Sequence, residues 1–191
     1  MDSLTHIVLG AAVGELVAGK KLGKRSWLAG AFLQTVPDFD FIAGLWCTPA
    51  EDLLAHRGFT HSFLFIILVA PLFSWGVVRT KWGSRGNLNF WLTFVSVELL
   101  IHVLLDGLNV YGTAWFEPFA HQRVSFDVLF VADPFLTIPL AVGVFWVIFF
   151  LRSSSKRIKT VLALLSYCLL YIGYGSNNKL IIEGEVKRAL V

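Results

Sequence analysis

Glu98, His102 and Asp106 recur every four residues in the apolar run "ELLIHVLLD". On a helix they share one face, a turn apart. An acidic–imidazole–acidic stripe in apolar surroundings is costly unless it faces a cavity or a cation. The structural alternative is a histidine bonded between two carboxylates, stapling helices together. "HRGFTHS" follows another logic. His56 and His61 would diverge on a continuous helix, but Gly58 permits a sharp turn and Thr60 suits the N-cap of the next helix. His56 from the loop and His61 from the first turn then converge on one ion. Arg57 between them suits a phosphate or carboxylate. The alternative is a basic loop touching lipid headgroups.

"PDFD" sets Asp38 and Asp40 at alternate positions of non-helical backbone, a geometry that chelates or bridges divalent cations or makes a polar hinge. "MDSLTH" puts Asp2 and His6 one turn apart, while the deeper Glu15 is expected as a charge or hydrogen-bond partner. The loop from Asn109 to Asp133 is long enough to expect a functional role and is rich in aromatics, as an interfacial belt or an acyl-chain shelf would be. His121 within it reads as a surface histidine outside any metal set.

Imidazole and carboxylate donors without cysteine favour Zn²⁺, with Mn²⁺ or Fe as alternatives, and a bound water brought toward a neutral pKa as nucleophile. The donors outnumber what one tetrahedral ion requires, so two or three metals are expected. Cys47 and Cys168 lie far apart and indicate neither a disulfide framework nor a thiolate site. No Ser-His-Asp order, glycine-rich phosphate loop or nucleic-acid motif occurs.

The elements that must position these groups are membrane helices. The 191 residues are 56% hydrophobic and 15% charged, with mean hydropathy +0.69. Soluble domains carry about 25% charged residues, so a globule of this composition lacks polar surface and the bilayer is its natural solvent. Four spans are clear, at about Ser62–Val78, Leu88–Leu108, Pro134–Leu151 and Thr160–Gly175. Two are weaker: Leu4–Gly19 is short, and Ser26–Leu45 breaks at Pro37, which lacks an N–H and disfavours helix before it. The fold class is thus an all-α polytopic membrane bundle of about six segments. Residues 1–175 form one domain, and 176–191 read as the start of a C-terminal soluble extension.

Basic residues cluster in alternate loops: Lys20, Lys21, Lys24 and Arg25; Arg79, Lys81 and Arg85; Arg152, Lys156, Arg157 and Lys159. The net charge of +3 is therefore read as membrane topology, with those loops cytoplasmic, and no nucleic-acid partner is expected. All five histidines then fall at or near the outer face, beside Asp38, Asp40, Asp106 and Asp127. None of these residues belongs to the basic clusters that set the topology, so their convergence supports it independently.

Five motifs in order, "MDSLTH", "PDFD", "HRGFTHS", "HVLLDGLNVYGT" and "RVSFDVLFVADP", make about residues 1 to 140 resemble the YdjM-like family of membrane-bound metal-dependent hydrolases, also described as LexA-binding and inner-membrane-associated. That family is distantly similar to zinc-dependent phospholipase C and the single-strand zinc nucleases, helical enzymes with clustered zinc ions. The resemblance implies a bacterial or archaeal inner membrane. Those enzymes also use an N-terminal amine and its backbone carbonyl as zinc ligands, a place that His6 or Asp2 can take here. The resulting expectation is a phosphoester hydrolase acting on a phospholipid or lipid-linked phosphate at the outer leaflet. His6, Asp38, His56, His61, His102 and Asp106 are its metal ligands. Asp40 and Asp127 support them or act as general base, and Arg57 and Arg123 steady the phosphate. Two rivals stand: a non-catalytic membrane adaptor or regulator with a structural metal, and a metal or proton transporter relaying through Glu98 and Glu15.

Overall fold

A computed structural model describes residues 1–40, 57–151 and 153–190. Six α-helices account for most of them: α1 Ser3–Leu22, α2 Arg25–Thr35, α3 Phe63–Val78, α4 Leu88–Gly107, α5 Pro134–Phe150 and α6 Ser154–Ala189. No strand occurs among the described residues. In the 109–129 loop isolated bridges join Asn109 with Leu129 and Thr113 with Val124.

Short polar side chains fix where the helices begin. Asp2 accepts from Thr5 N, Ser62 from Phe65 N, Asn87 from Phe90 N, and Asp133 from Phe135 N and Leu136 N, each satisfying amides the first turn leaves free. Ser62, not Thr60, is thus the cap of α3. Thr60 lies in a 3-10 turn, Phe59–His61, that precedes it. Gly23, at φ 60, ends α1 by returning its N–H to Gly19 O.

The helix α2 stops at Thr35, and residues 37–40 continue as a 3-10 turn, as Pro37 dictates. The rest of the expected second span lies outside the described residues. Among the described helices, α4 and α6 have the length and composition to cross a bilayer, while α3 and α5 are apolar but shorter. At 1.5 Å per residue the 36 residues of α6 run to about 54 Å, well beyond a hydrocarbon core of about 30 Å. The polar change after Gly175 therefore does not end the helix.

Connectivity brings the starts of α1, α3 and α5 and the ends of α2 and α4 to one end of the bundle. Lys20, Lys21, Lys24 and Arg25, Arg79, Lys81 and Arg85, and Lys156, Arg157 and Lys159 occupy the other. Asp2 N donates to Val131 O at the site end. At the opposite end Glu15 of α1 takes Arg157 Nε at 2.9 Å and Ser26 Oγ at 3.2 Å, locking α1, α2 and α6 together. Glu15 is thus the charge partner its position suggested. The tightest packing is α1 on α2, where Gly10 and Gly14 face Gly30 and Ser26. A Cβ on Gly30 would come within 2.0 Å of Gly10 O, and one on Gly14 within 2.3 Å of Ser26 O. Small residues spaced by four let membrane helices approach to backbone contact. Away from these interfaces, Leu72, Trp75, Val142, Phe149, Leu169 and Leu170 are exposed over α3, α5 and α6, far more bare apolar surface than a water-soluble monomer carries.

Candidate metal centre

Four side chains from four segments meet at that end. Asp38 follows α2, His61 closes the 3-10 turn before α3, and His102 and Asp106 lie a turn apart near the end of α4. His61 Nε2 stands 3.1 Å from His102 Nε2. Asp38 Oδ1 is 3.5 Å from both, and Asp106 Oδ2 is 3.3 Å from the first and 3.7 Å from the second. An ion bound tetrahedrally at about 2.0–2.1 Å separates its donors by roughly 3.3 Å, and these distances scatter around that value. Both histidines and Asp106 are fully buried, while Asp38 keeps about a fifth of its side chain exposed and opens the group to solvent.

The proton positions also suit a cation. His102 Nδ1 lies 2.6 Å from Gln34 O, which can only accept, so the proton sits on Nδ1 and the Nε2 lone pair faces the group. His61 Nδ1 lies 3.0 Å from Thr60 Oγ1, whose hydroxyl donates to Asp40 Oδ2 at 3.3 Å. That chain presents His61 Nε2 to the group in the same way. Asp106 Oδ2, buried among them, has no hydrogen-bond partner. Lone pairs converging on one another without protons between them repel unless a cation lies between.

Asp106 faces a second set through its other oxygen. Oδ1 is 3.2 Å from His6 Nε2, 3.4 Å from Asn109 Nδ2, and in direct contact with the α-amine of Met1. His6 stacks on His102 with ring centroids 3.8 Å apart. Burial lowers the Met1 amine to about 5, helped by Arg57, and lowers the His61 imidazole to about 4, so both nitrogens are neutral near pH 7. Asp106 thus belongs to two sets of donors: Oδ2 to the group with His61, His102 and Asp38 that could hold a metal ion, and Oδ1 to the contacts with His6 and the amine.

Arg57 forms part of the wall. Its φ of 62 turns the chain so that its N–H reaches Asp40 Oδ2 at 2.9 Å. Its buried guanidinium donates to Asn109 Oδ1 at 3.0 Å, with Nε 3.8 Å from Asp106 Oδ2. Arg123 is exposed and close enough to Arg57 for the two charges to repel.

Of the expected ligands, the structure thus gathers His6, Asp38, His61, His102 and Asp106, while His56 lies outside the described residues. Asp40 supports His61 through Thr60. Asp127 does not join the group: it is half exposed, bonded to Ser125, and 3.6 Å from Lys179. Asp2 is the cap of α1 and not a donor to the group, and His121 pairs with Glu117 at 2.9 Å. Sequence reasoning passed over Gln34 and Asn109. Asn109 carried a signal, following the stripe by three residues; Gln34 carried only its polarity within an apolar helix.

A helical bundle with exposed apolar faces and a buried His/Asp group at one end defines a membrane protein with a candidate metal centre. The chain belongs to the YdjM inner membrane protein family, whose model matches residues 1–179. It is 32% identical to inner membrane protein YbcI of Escherichia coli K12 over 122 residues, covering 63% of this chain and 69% of YbcI. It is 28% identical over 201 aligned positions to the uncharacterized protein YfhP of Bacillus subtilis 168, covering all of this chain and 57% of that longer protein. No solved structure matches.

Proposed function

We propose that this protein is a metal-dependent hydrolase of the inner membrane that cleaves a phosphoester in a phospholipid or lipid-linked phosphate at the outer leaflet. The observation that carries the reading is the four-donor group, whose members converge within 4.8 Å of one another around an Asp106 Oδ2 that accepts no hydrogen bond. Mixed imidazole nitrogen and carboxylate oxygen fit Zn²⁺ first, then Mn²⁺ or Fe. Bound there, divalent ions supply Lewis acidity and a water acidified toward neutral pKa, which phosphoester hydrolysis needs at pH 7.

The chain's own residues prepare the site. Asp106 spans the two donor sets and fixes their separation. Thr60 and Asp40 hold His61 in the tautomer that leaves Nε2 free. Arg57, tethered by Asn109, offers the planar fork that fits two phosphate oxygens, and Arg123 adds charge at the rim. The position of the group at the bundle end opposite the basic loops supports an outer-face site by the positive-inside rule. A site at headgroup depth favours a lipid phosphate.

One observation favours the adaptor reading. Four protein donors complete a tetrahedron, and closed shells characterise structural metals. Against it, His6, Asp106 Oδ1 and the Met1 amine make only three donors and leave a position for water or substrate. The test is protein purified without chelator, analysed for metal and then offered a panel of phosphoesters and lipids. Metal-dependent hydrolysis supports the proposal. Bound metal with no turnover on any substrate makes the centre structural.

A further inference from the structure

The buried polar groups behind the metal centre converge on one side chain that no ligand pattern predicts. Gln34 is fully buried at the end of α2 and meets two of the candidate ligand histidines. Its side-chain Oε1 lies 3.4 Å from His6 Nδ1, and its backbone oxygen lies 2.6 Å from His102 Nδ1. A carbonyl in the last turn of a helix has no intrahelical duty, so this one is available. Both contacts are acceptors, so both imidazoles must carry their proton on Nδ1 and turn Nε2 toward Asp106.

The amide is held from behind. With Oε1 committed to His6, its Nε2 faces the carboxylate of Glu98, which is fully buried on α4 beside Gly30. Neither that amide nitrogen nor either Glu98 oxygen has a hydrogen-bond partner among the described residues, which leaves them facing one another. A Cβ on Gly10 would lie 2.4 Å from Gln34 Cγ, so the close α1–α2 contact clamps the side chain. Glu98 therefore sits behind Gln34 and reaches His6 through it.

We infer that Gln34 is the positioning residue of this centre: backed by Glu98, it sets the tautomer and ring orientation of His6 and His102 for a divalent cation. The inference rests on the metal reading of the site. It extends to a glutamine the familiar arrangement in which a metal-bound histidine gives its other N–H to a carbonyl or carboxylate, whose loss costs about 10- to 100-fold in metal affinity.

The test titrates Zn²⁺ against a chromogenic chelator in full-length wild type, Gln34→Met and Gln34→Glu. Methionine keeps length and packing but removes the acceptor for His6 and the amide that faces Glu98. Glutamate keeps an acceptor for His6. The expected order is wild type tightest, Gln34→Glu next, and Gln34→Met weakest by about 10- to 100-fold. A residue that only fills space gives the reverse order, with methionine tolerated and glutamate poor, and that result overturns the inference while leaving the metal reading intact. Wild type that binds no zinc overturns both. A second readout needs no variant: nitrogen-detected NMR of the histidines should show His6 and His102 as Nδ1–H tautomers. An Nε2–H tautomer at His6 contradicts the inference, whatever the variants do.

Discussion

Asp106 does two jobs with two oxygens, and most of the site's behaviour follows from that. Replacing it with asparagine preserves shape but removes the charge and one lone-pair oxygen, and His102→Ala removes a nitrogen donor. Each variant is expected to lose at least one metal ion per chain by elemental analysis and to lose phosphoester hydrolysis, while still inserting and purifying as a folded bundle. Retention of full metal by His102→Ala, with altered stability alone, would make the Glu98–His102–Asp106 stripe a helix staple. Arg57 is expected to act on substrate. Arg57→Lys should raise KM for a phosphoester by roughly an order of magnitude, since lysine lacks the bidentate fork, and should leave metal content unchanged. Loss of metal in that variant would assign Arg57 to the architecture, through its contacts to Asn109 and Asp106. The His/Asp group was legible in the sequence because imidazole and carboxylate are conspicuous in apolar runs and their four-residue spacing survives folding. Gln34 was not, because its importance comes from a backbone carbonyl and an amide meeting rings 28 and 68 residues away. Asp127 stands apart from the group, because its positive φ of 50 and its partner Lys179 hold it at the surface.

At the scale of elements, the starts of α4 and α5 were readable from the apolar runs that begin at Leu88 and Pro134, and the break in the second span from Pro37, whereas the cap of α3 was expected at Thr60 and falls at Ser62. The close approach of α1 to α2 was not, since glycines in an apolar helix look the same whether they face lipid or another backbone. That approach clamps Gln34 and aligns His6 with Asp106. Gly30→Ala forces a methyl against Gly10 O and should destabilise the protein by about 1–3 kcal/mol, as overpacking does. The measurement is thermal unfolding in detergent, with metal content followed in parallel. Gly173→Ala in α6, which meets nothing within 4 Å, is the control and should be neutral or slightly stabilising through helix propensity. Equal effects at the two glycines would show that the α1–α2 contact contributes little.

For the whole molecule, the proposed outward orientation rests on the basic loops and the His/Asp group lying at opposite ends of the bundle. In a background with Cys47 and Cys168 replaced by serine, a cysteine at Gln122 should react with an impermeant reagent in intact spheroplasts. A cysteine at Ser155 should react only after permeabilisation. The reverse labelling would put the site on the cytoplasmic face and remove the outer-leaflet substrate. The claim on which everything else depends is that this buried group holds metal. It is tested most directly by elemental analysis of wild type and Asp106→Asn, purified side by side without chelator in metal-replete medium. One or two zinc-class ions per wild-type chain are expected, and at least one fewer in the variant. Wild-type protein that is folded, free of transition metal and unable to take up Zn²⁺ on dialysis would contradict it.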